Sequence, residues 1–102
     1  MDNPILKSLD EMHERLRKTL QAKGEDYAGG KAFHNFEVTA QITGMTREMG
    51  VLVRICDKVS RIGMLLRKDR PAVKDESLLD TIEDLVGYAT ILRAMVKKEE
   101  EK

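Results

Sequence analysis

Several acidic side chains stand beside an apolar stripe in KDESLLDTIEDLVGY, the segment from Lys74 to Tyr88. Glu76, Asp80 and Asp84 follow one another at intervals of four residues, so they project from nearly one side of a helix. Like charges at this spacing repel by roughly a few tenths of a kcal/mol per pair, and a bound cation offsets that repulsion. Oxygen ligands favour Mg²⁺ or Mn²⁺ over zinc. The spacing therefore predicts a magnesium or manganese site on these carboxylates.

A further carboxylate, Asp57, lies on a half-apolar side of the preceding predicted helix. An ionised aspartate is rarely buried without a partner or a metal. If the two helices pack antiparallel, as their short connection favours, Asp57 approaches Asp80 and Asp84 and completes an acidic cluster. The alternative, which we weight equally, is that Asp57 pairs with Arg61 or faces solvent.

Three basic residues within one helical turn of Asp57 are candidates for binding phosphate. A basic fork and bound Mg²⁺ together neutralise pyrophosphate oxygens. The alternative is surface ion pairing within a charge-rich helix. The three residues are Arg54, Lys58 and Arg61.

A glycine-interrupted segment, GEDYAGGKAFHN at residues 24–35, is predicted to be a functional loop. Tyr27 and Phe33 in this loop are suited to stacking on a nucleobase, and Asn35 to reading a base or sugar edge. Loop aromatics equally often plug a small core, and that alternative stays open.

Apolar periodicity predicts three main helices and a short one, and no strand pattern competes with them. The first begins at Asn3-Pro4, an N-cap followed by proline, and ends near Gly24. The short helix covers 36–42 and is closed by Gly44. The first helix is amphipathic, and its apolar stripe consists of Ile5, Leu9, Met12, Leu16 and Leu20.

The two remaining helices are separated by Arg70-Pro71. Thr46 caps the first of them, which runs to about Lys68, and Asp75 or Ser77 caps the last, whose tail at 97–102 is expected to fray. The helix after Thr46 has apolar residues on two sides, so we expect its own domain to cover one side and a subunit or ligand the other. Its main stripe is Leu52, Ile55, Val59, Ile62 and Leu66, opposite Gly50, Val53, Asp57, Ser60 and Met64.

Composition limits the class of protein. A single domain of 102 residues has a modest core, so oligomerisation would add stability. Equal numbers of basic and acidic residues, 18 of each, argue against binding nucleic acid through bulk charge. One cysteine, Cys56, and the lack of a signal or a membrane-spanning run indicate a soluble cytoplasmic protein. The sequence thus predicts one all-α domain over 1–102, a small helical bundle completed by oligomerisation.

Four segments occur in an order that resembles a known family: KGEDY at 23–27, FHNF at 33–36, VLVRICDKVSRI at 51–62 and VKDESLLDTIEDLVGYATI at 73–91. The family is the nucleotide modification associated domain of phages and bacteria, a relative of the all-α MazG-like and dimeric dUTPase nucleoside triphosphate pyrophosphohydrolases. The most specific pieces are R-x-x-D-K-x-x-R and D-E-S-x-x-D-T-x-x-D-L. The resemblance covers residues 20–95 and implies a MazG-like fold.

The resemblance implies hydrolysis of a nucleoside triphosphate between its α and β phosphates, with carboxylate-bound Mg²⁺ and a metal-activated water. Asp80 and Asp84 match the acidic pair of the last core helix, and Asp57 falls where MazG-like enzymes carry E-x-x-E ligands. Arg54 stands where a second acid is expected, so Glu76 becomes a further candidate ligand. The resemblance also implies a dimer or tetramer and, for a phage protein, the host cytoplasm.

Three functional hypotheses remain. The leading one is a Mg²⁺-dependent nucleoside triphosphate pyrophosphohydrolase or related nucleotide-processing protein. The alternative is a non-catalytic sponge or regulator that holds a cyclic or other nucleotide between subunits, because a basic residue at Arg54 favours phosphate retention. The third is a helical oligomerisation module. In the leading hypothesis, Asp57, Asp80 and Asp84 are catalytic and bind metal with Glu76, and the substrate contacts Lys23, Asp26, Tyr27, Phe33, Asn35, Arg54, Lys58 and Arg61.

Overall fold

The computed structural model describes residues 2–26, 33–67 and 74–100, with side chains for 2–22, 33–67 and 77–98. Within these ranges the secondary structure is helical and contains no strand, so the all-α prediction is confirmed for the described chain. No helix in these ranges is long and apolar enough to cross a membrane. The helices are α1 (Pro4–Asp26), α2 (His34–Thr43), α3 (Arg47–Leu65) and α4 (Lys74–Glu100).

The chain divides into two compact units, residues 1–34 and 35–102, and the single domain stays a prediction. The first unit contains α1, which begins at Pro4 with Asn3 as its N-cap, as predicted. The Oδ1 atom of Asn3 accepts hydrogen bonds from the backbone N–H groups of Ile5 at 3.0 Å and Leu6 at 3.2 Å. These bonds satisfy donors that the first helical turn would otherwise leave unpaired. The apolar stripe of α1 is exposed at Ile5 and Leu9.

The second unit begins with α2, whose junction with α3 is built from local signals. Gly44 has φ of +78°, in the left-handed region where glycine carries no Cβ penalty, and it closes α2 as predicted. The Thr46 side chain accepts a hydrogen bond from Met49 N at 3.1 Å, which confirms the predicted N-cap of α3. Arg47 then ties the two helices together through an ion pair of 3.2 Å with Glu37.

Helices α3 and α4 pack antiparallel, as predicted. Lys58 of α3 contacts Asp84 of α4, and Arg61, one turn later in α3, contacts residues one to two turns earlier in α4. Val51 near the start of α3 and Met95 near the end of α4 are fully buried. Polar side chains of α3 and α4 therefore contact each other on the same helix pair that buries the apolar core.

The side of α3 that is covered differs in part from the predicted stripe. Ile55 and Ile62 are half-buried, as predicted, whereas Leu52, Val59 and Leu66 are exposed. The covered positions keep the same three- and four-residue intervals but are rotated by about 60° around the helix axis. The prediction differed because it considered apolar residues alone, whereas the covered side includes Lys58. The covered residues are Val51, Ile55, Lys58, Ile62 and Leu65.

An apolar side of α3 remains exposed, and it combines residues from both predicted sides: Leu52 and Val59 come from the predicted main stripe and Val53 from the side opposite. We call it the outer face of α3. Its positions recur at helical intervals on the side away from the covered stripe. The outer face consists of Met49, Leu52, Val53, Cys56 and Val59.

The start of α4 differs from the predicted cap. The helix begins at Lys74, so Asp75 and Ser77 lie inside its first turns and neither precedes it. The Ser77 hydroxyl instead accepts a hydrogen bond from α3. At its other end α4 continues through Lys97 to Glu100, where the sequence suggested a frayed tail.

Candidate phosphate-binding site

An ion pair joins α3 to α4 at the centre of the candidate site. Lys58 Nζ lies 3.4 Å from Asp84 Oδ2. The Lys58 side chain is 26% exposed and that of Asp84 is 54% exposed, so water reaches both charges. A pair in this setting contributes about 0–1 kcal/mol to folding. Its main consequence is positional, because it places a cationic and an anionic group side by side on an accessible surface.

A second polar contact lies one turn away and involves two hydroxyl groups of α4. Arg61 Nε donates to Thr81 Oγ1 at 3.2 Å, and Arg61 Nη2 donates to Ser77 Oγ at 3.0 Å. Thr81 is only 3% exposed, and its own hydroxyl donates to the Ser77 carbonyl at 2.7 Å. The threonine proton is therefore used within α4, and its lone pairs face the arginine.

The three predicted phosphate ligands form one basic stripe along α3. Arg54, Lys58 and Arg61 are separated by four and three residues, which places them within about 60° of one another around the helix axis. The stripe extends for about 10 Å along α3. Two of its members contact α4, and Arg54 is exposed beside them. This arrangement can contact several oxygens of a phosphate chain at once.

The predicted approach of Asp57 to the carboxylates of α4 is not found among the described contacts. Lys58 takes that position, and Asp57, about 100° further around α3, is exposed. The alternative, a pair between Asp57 and Arg61, is also not among the described contacts. Arg61 donates instead to the hydroxyl groups of Thr81 and Ser77. Of the three expectations for Asp57, exposure to solvent is the one that the described residues show.

The carboxylates of α4 supply part of the predicted metal site. Asp80 and Asp84 are both exposed and lie one turn apart, and their oxygens are donors of the kind that Mg²⁺ takes. The described residues contain no group of three His, Cys, Asp or Glu side chains placed to hold one metal ion. Glu76 lies one turn before Asp80, but its side chain is outside the described residues. The metal site on these carboxylates therefore stays a prediction.

The predicted base pocket is described only in part. The side chains of Lys23, Asp26 and Tyr27 lie outside the described residues. Phe33 is half-buried and belongs to the first unit, whereas Asn35 is exposed at the start of α2 in the second unit. The Asn35 carbonyl accepts a hydrogen bond from the Thr39 hydroxyl at 3.0 Å. A nucleobase pocket at these residues stays a prediction.

Sequence reasoning missed Ser77 and Thr81 as members of the site. The sequence pattern favoured Ser77 as a helix cap. It assigned no role to Thr81, which lies between Asp80 and Asp84. Their four-residue spacing, together with Asp84, was the available signal, since it aligns hydroxyl and carboxylate groups on one side of α4.

The site as a whole consists of the basic stripe of α3 facing a line of hydroxyl and carboxylate groups on α4. Cationic donors of this kind bind phosphate oxygens, and nearby carboxylates provide ligands for a hard cation. No known protein family, curated protein or solved structure matches this chain.

Proposed function

We propose that this chain is a Mg²⁺-dependent nucleoside triphosphate pyrophosphohydrolase, or a closely related nucleotide-processing protein, and that the α3–α4 surface holds the phosphates. The observation that supports this most is the basic stripe of α3 lying directly against the carboxylate side of α4, with Lys58 3.4 Å from Asp84. Phosphoryl chemistry depends on this combination, because the substrate carries several negative charges and requires both cationic side chains and a cation ligand set.

Each group has a distinct role in this proposal. Arg54, Lys58 and Arg61 bind phosphate oxygens and fix the register of the phosphate chain along α3. Asp80 and Asp84 hold the cation, with Glu76 and Asp57 as the remaining candidate ligands. When bound, Mg²⁺ supplies a water molecule with a lowered pKa as nucleophile. A cation held by Asp84 would compete with Lys58 for the carboxylate, and the Lys58 ammonium group would then be available to a phosphate oxygen.

The rest of the proposal concerns the base and the partner chain. Tyr27 and Phe33 stack on the nucleobase, Asn35 contacts its edge, and Lys23 and Asp26 contact the substrate. The chain acts in the cytoplasm as a dimer or tetramer. The exposed outer face of α3 supports this assembly, because monomeric proteins rarely expose large contiguous apolar patches.

A panel of ribo- and deoxyribonucleoside triphosphates, each incubated with the protein in Mg²⁺ and in EDTA, tests this function. We expect pyrophosphate and the matching monophosphate to form in Mg²⁺ alone. The ratio of rates across the panel identifies the base and the sugar. Absence of product from every triphosphate in Mg²⁺ and in Mn²⁺ would refute the hydrolase.

A second candidate is nucleotide binding without catalysis. It is favoured by the Lys58 side chain, which pairs with the Asp84 carboxylate, and by Arg54 in place of an expected acid. A cyclic or other nucleotide would then bind through its phosphates to the basic stripe, between subunits. Stabilisation by about 2.7 kcal/mol at 100 times the Kd, unchanged by EDTA and without product, supports this candidate over the first.

A further inference from the structure

The charge environment of Arg61 differs from that of Arg47 and Lys58, two other cations of the second unit. Arg47 pairs with two carboxylates, Glu37 and Glu48, each at 3.2 Å, and Lys58 pairs with Asp84. Arg61 instead donates to two neutral hydroxyl groups. Its orientation is therefore held by hydroxyl groups of α4, and among the described side chains of that helix no carboxylate pairs with it.

The acceptor that holds Arg61 has a fixed orientation. Thr81 is 3% exposed, and its hydroxyl proton is donated to the Ser77 carbonyl at 2.7 Å. A β-branched side chain in a helix has few χ1 rotamers, and this backbone bond selects one of them. The lone pairs of the Thr81 oxygen consequently point toward α3, and Ser77 supplies a second acceptor one turn earlier.

The two contacts use one edge of the guanidinium group. The Nε–H and one Nη2–H lie on the same edge, and these are the atoms that donate to Thr81 and Ser77. A guanidinium group has five N–H donors in a planar fork. The remaining three, on Nη1 and Nη2, include the pair at the end of the group, whose spacing matches two oxygens of a phosphate.

We infer that Ser77 and Thr81 are positioning residues, which hold Arg61 by its side edge so that its Nη1/Nη2 end forms a preorganised two-pronged ligand for a substrate phosphate group. This inference rests on the proposed function, since it assigns the phosphate to a nucleotide held along α3. A flexible exposed arginine loses side-chain freedom when it binds an anion. Here the hydroxyl groups have already restricted that freedom, so phosphate binding is tighter than the charge alone would give.

Removal of the hydroxyl groups tests the inference with little change in shape. Thr81→Val keeps the branched side chain and removes the acceptor. Ser77→Ala removes the second acceptor at a half-buried position. Thr81→Ser retains the hydroxyl. Thr90→Val is the matched control, because the Thr90 hydroxyl makes a similar bond of 2.8 Å to the Val86 carbonyl within α4, at an exposed position.

The readouts are the Kd of inorganic tripolyphosphate by calorimetry in EDTA and the NMR order parameter of the Arg61 Nε–H group. We expect Ser77→Ala and Thr81→Val each to weaken tripolyphosphate binding about tenfold and to lower the order parameter. Thr81→Ser and Thr90→Val should stay within about twofold of the unmodified protein. Arg61→Lys, which keeps the charge and loses the fork, should match the hydroxyl variants. A circular dichroism melt verifies that each variant is folded.

Failure of this inference differs from failure of the proposed function. If the unmodified protein binds tripolyphosphate and nucleotides but folded Ser77→Ala and Thr81→Val bind them equally well, the positioning role is overturned and the proposed function stands. If the unmodified protein binds neither compound, both are overturned. Retained order at Arg61 Nε–H in both hydroxyl variants would also overturn the positioning role, even if affinity fell.

Discussion

Asp84 lies where the basic stripe of α3 meets the carboxylate side of α4, and it pairs there with Lys58. Its contribution to folding can be measured separately from its proposed role in function. The carboxylate is more than half exposed, so loss of the ion pair should change the free energy of unfolding by no more than about 1 kcal/mol. In the proposed metal site, in contrast, loss of the Asp84 carboxylate would weaken binding of the cation and so lower the activity. Substitution at Asp84 therefore affects two measurable quantities very unequally.

For Asp84→Asn we expect Mg²⁺-dependent pyrophosphate release to fall about 100-fold or more, with urea unfolding changed by less than about 1 kcal/mol. Asp10→Asn, an exposed aspartate of α1, is the matched control and should leave both quantities unchanged. Steady-state kinetics and urea denaturation provide the two measurements. An Asp84→Asn variant that retains most of the turnover of the unmodified protein would remove Asp84 from the proposed metal site.

At the level of elements, the short connection between α2 and α3 depends on two residues whose roles are set by the local backbone. Gly44 adopts a left-handed conformation, and its N–H donates to the Ala40 carbonyl at 2.9 Å. Thr46 then caps α3. The direction of α3, and with it the position of the basic stripe, follows from this turn.

Gly44→Ala should destabilise the fold by about 1 kcal/mol, because a Cβ is unfavourable at positive φ even though space around the residue is open. Gly44→Asn is the matched comparison and should cost less, because asparagine tolerates the left-handed region. The free energy of unfolding by urea measures both variants. Equal stability of the alanine variant and the unmodified protein would contradict the role of Gly44 as the α2 terminator.

These local features are also what the sequence predicted best. Asn3, Gly44 and Thr46 were assigned correctly because caps and left-handed turns depend on a few adjacent residues. The start of α4 was placed too late, since Ser77 has the chemistry of a cap but is used by α3 instead. Cap-type residues inside helices cannot be recognised without knowing their tertiary partners.

The candidate site was predictable in its residue types and only partly in its pairing. The approach of the basic stripe to the carboxylates of α4 followed from the antiparallel packing, and the contact between Lys58 and Asp84 agrees with it. The rotation of α3 that exposes Asp57 was not predictable, because periodicity does not reveal which of two apolar sides meets a neighbouring helix. The hydrogen bonds from Arg61 to the Ser77 and Thr81 hydroxyl groups depend on the same rotation of α3.

On the scale of the whole molecule, the described chain leaves much apolar surface uncovered. Val51 and Met95 are fully buried, whereas Leu52, Val53 and Val59 on the outer face of α3 are between 40% and 55% exposed. A domain of this size has a small core, and association with a second copy would bury more apolar surface. The proposed oligomer accounts for this exposure.

Val59→Glu places a charge at the C-terminal end of the outer face and should convert the proposed oligomer to a monomer. Ala94→Glu is the control, since it adds the same charge at an exposed position on α4. Light scattering after size exclusion gives the mass, and the reaction rate of Cys56 with a thiol reagent reports whether the outer face is covered. A monomer with reactive Cys56 at every concentration would contradict the proposed assembly, and a monomer with protected Cys56 would show that the chain covers this face itself.

The measurement that tests the central claim most directly is an NMR titration of the unmodified protein with a triphosphate analogue that carries a non-hydrolysable α,β-methylene bridge, in the presence of Mg²⁺. Among the residues of α3 and α4 we expect the largest shifts at the phosphate site, namely at Arg54, Lys58, Arg61, Thr81 and Asp84. Saturable shifts confined to other parts of the chain, or no shifts with any base, would contradict a nucleotide phosphate site at the α3–α4 surface.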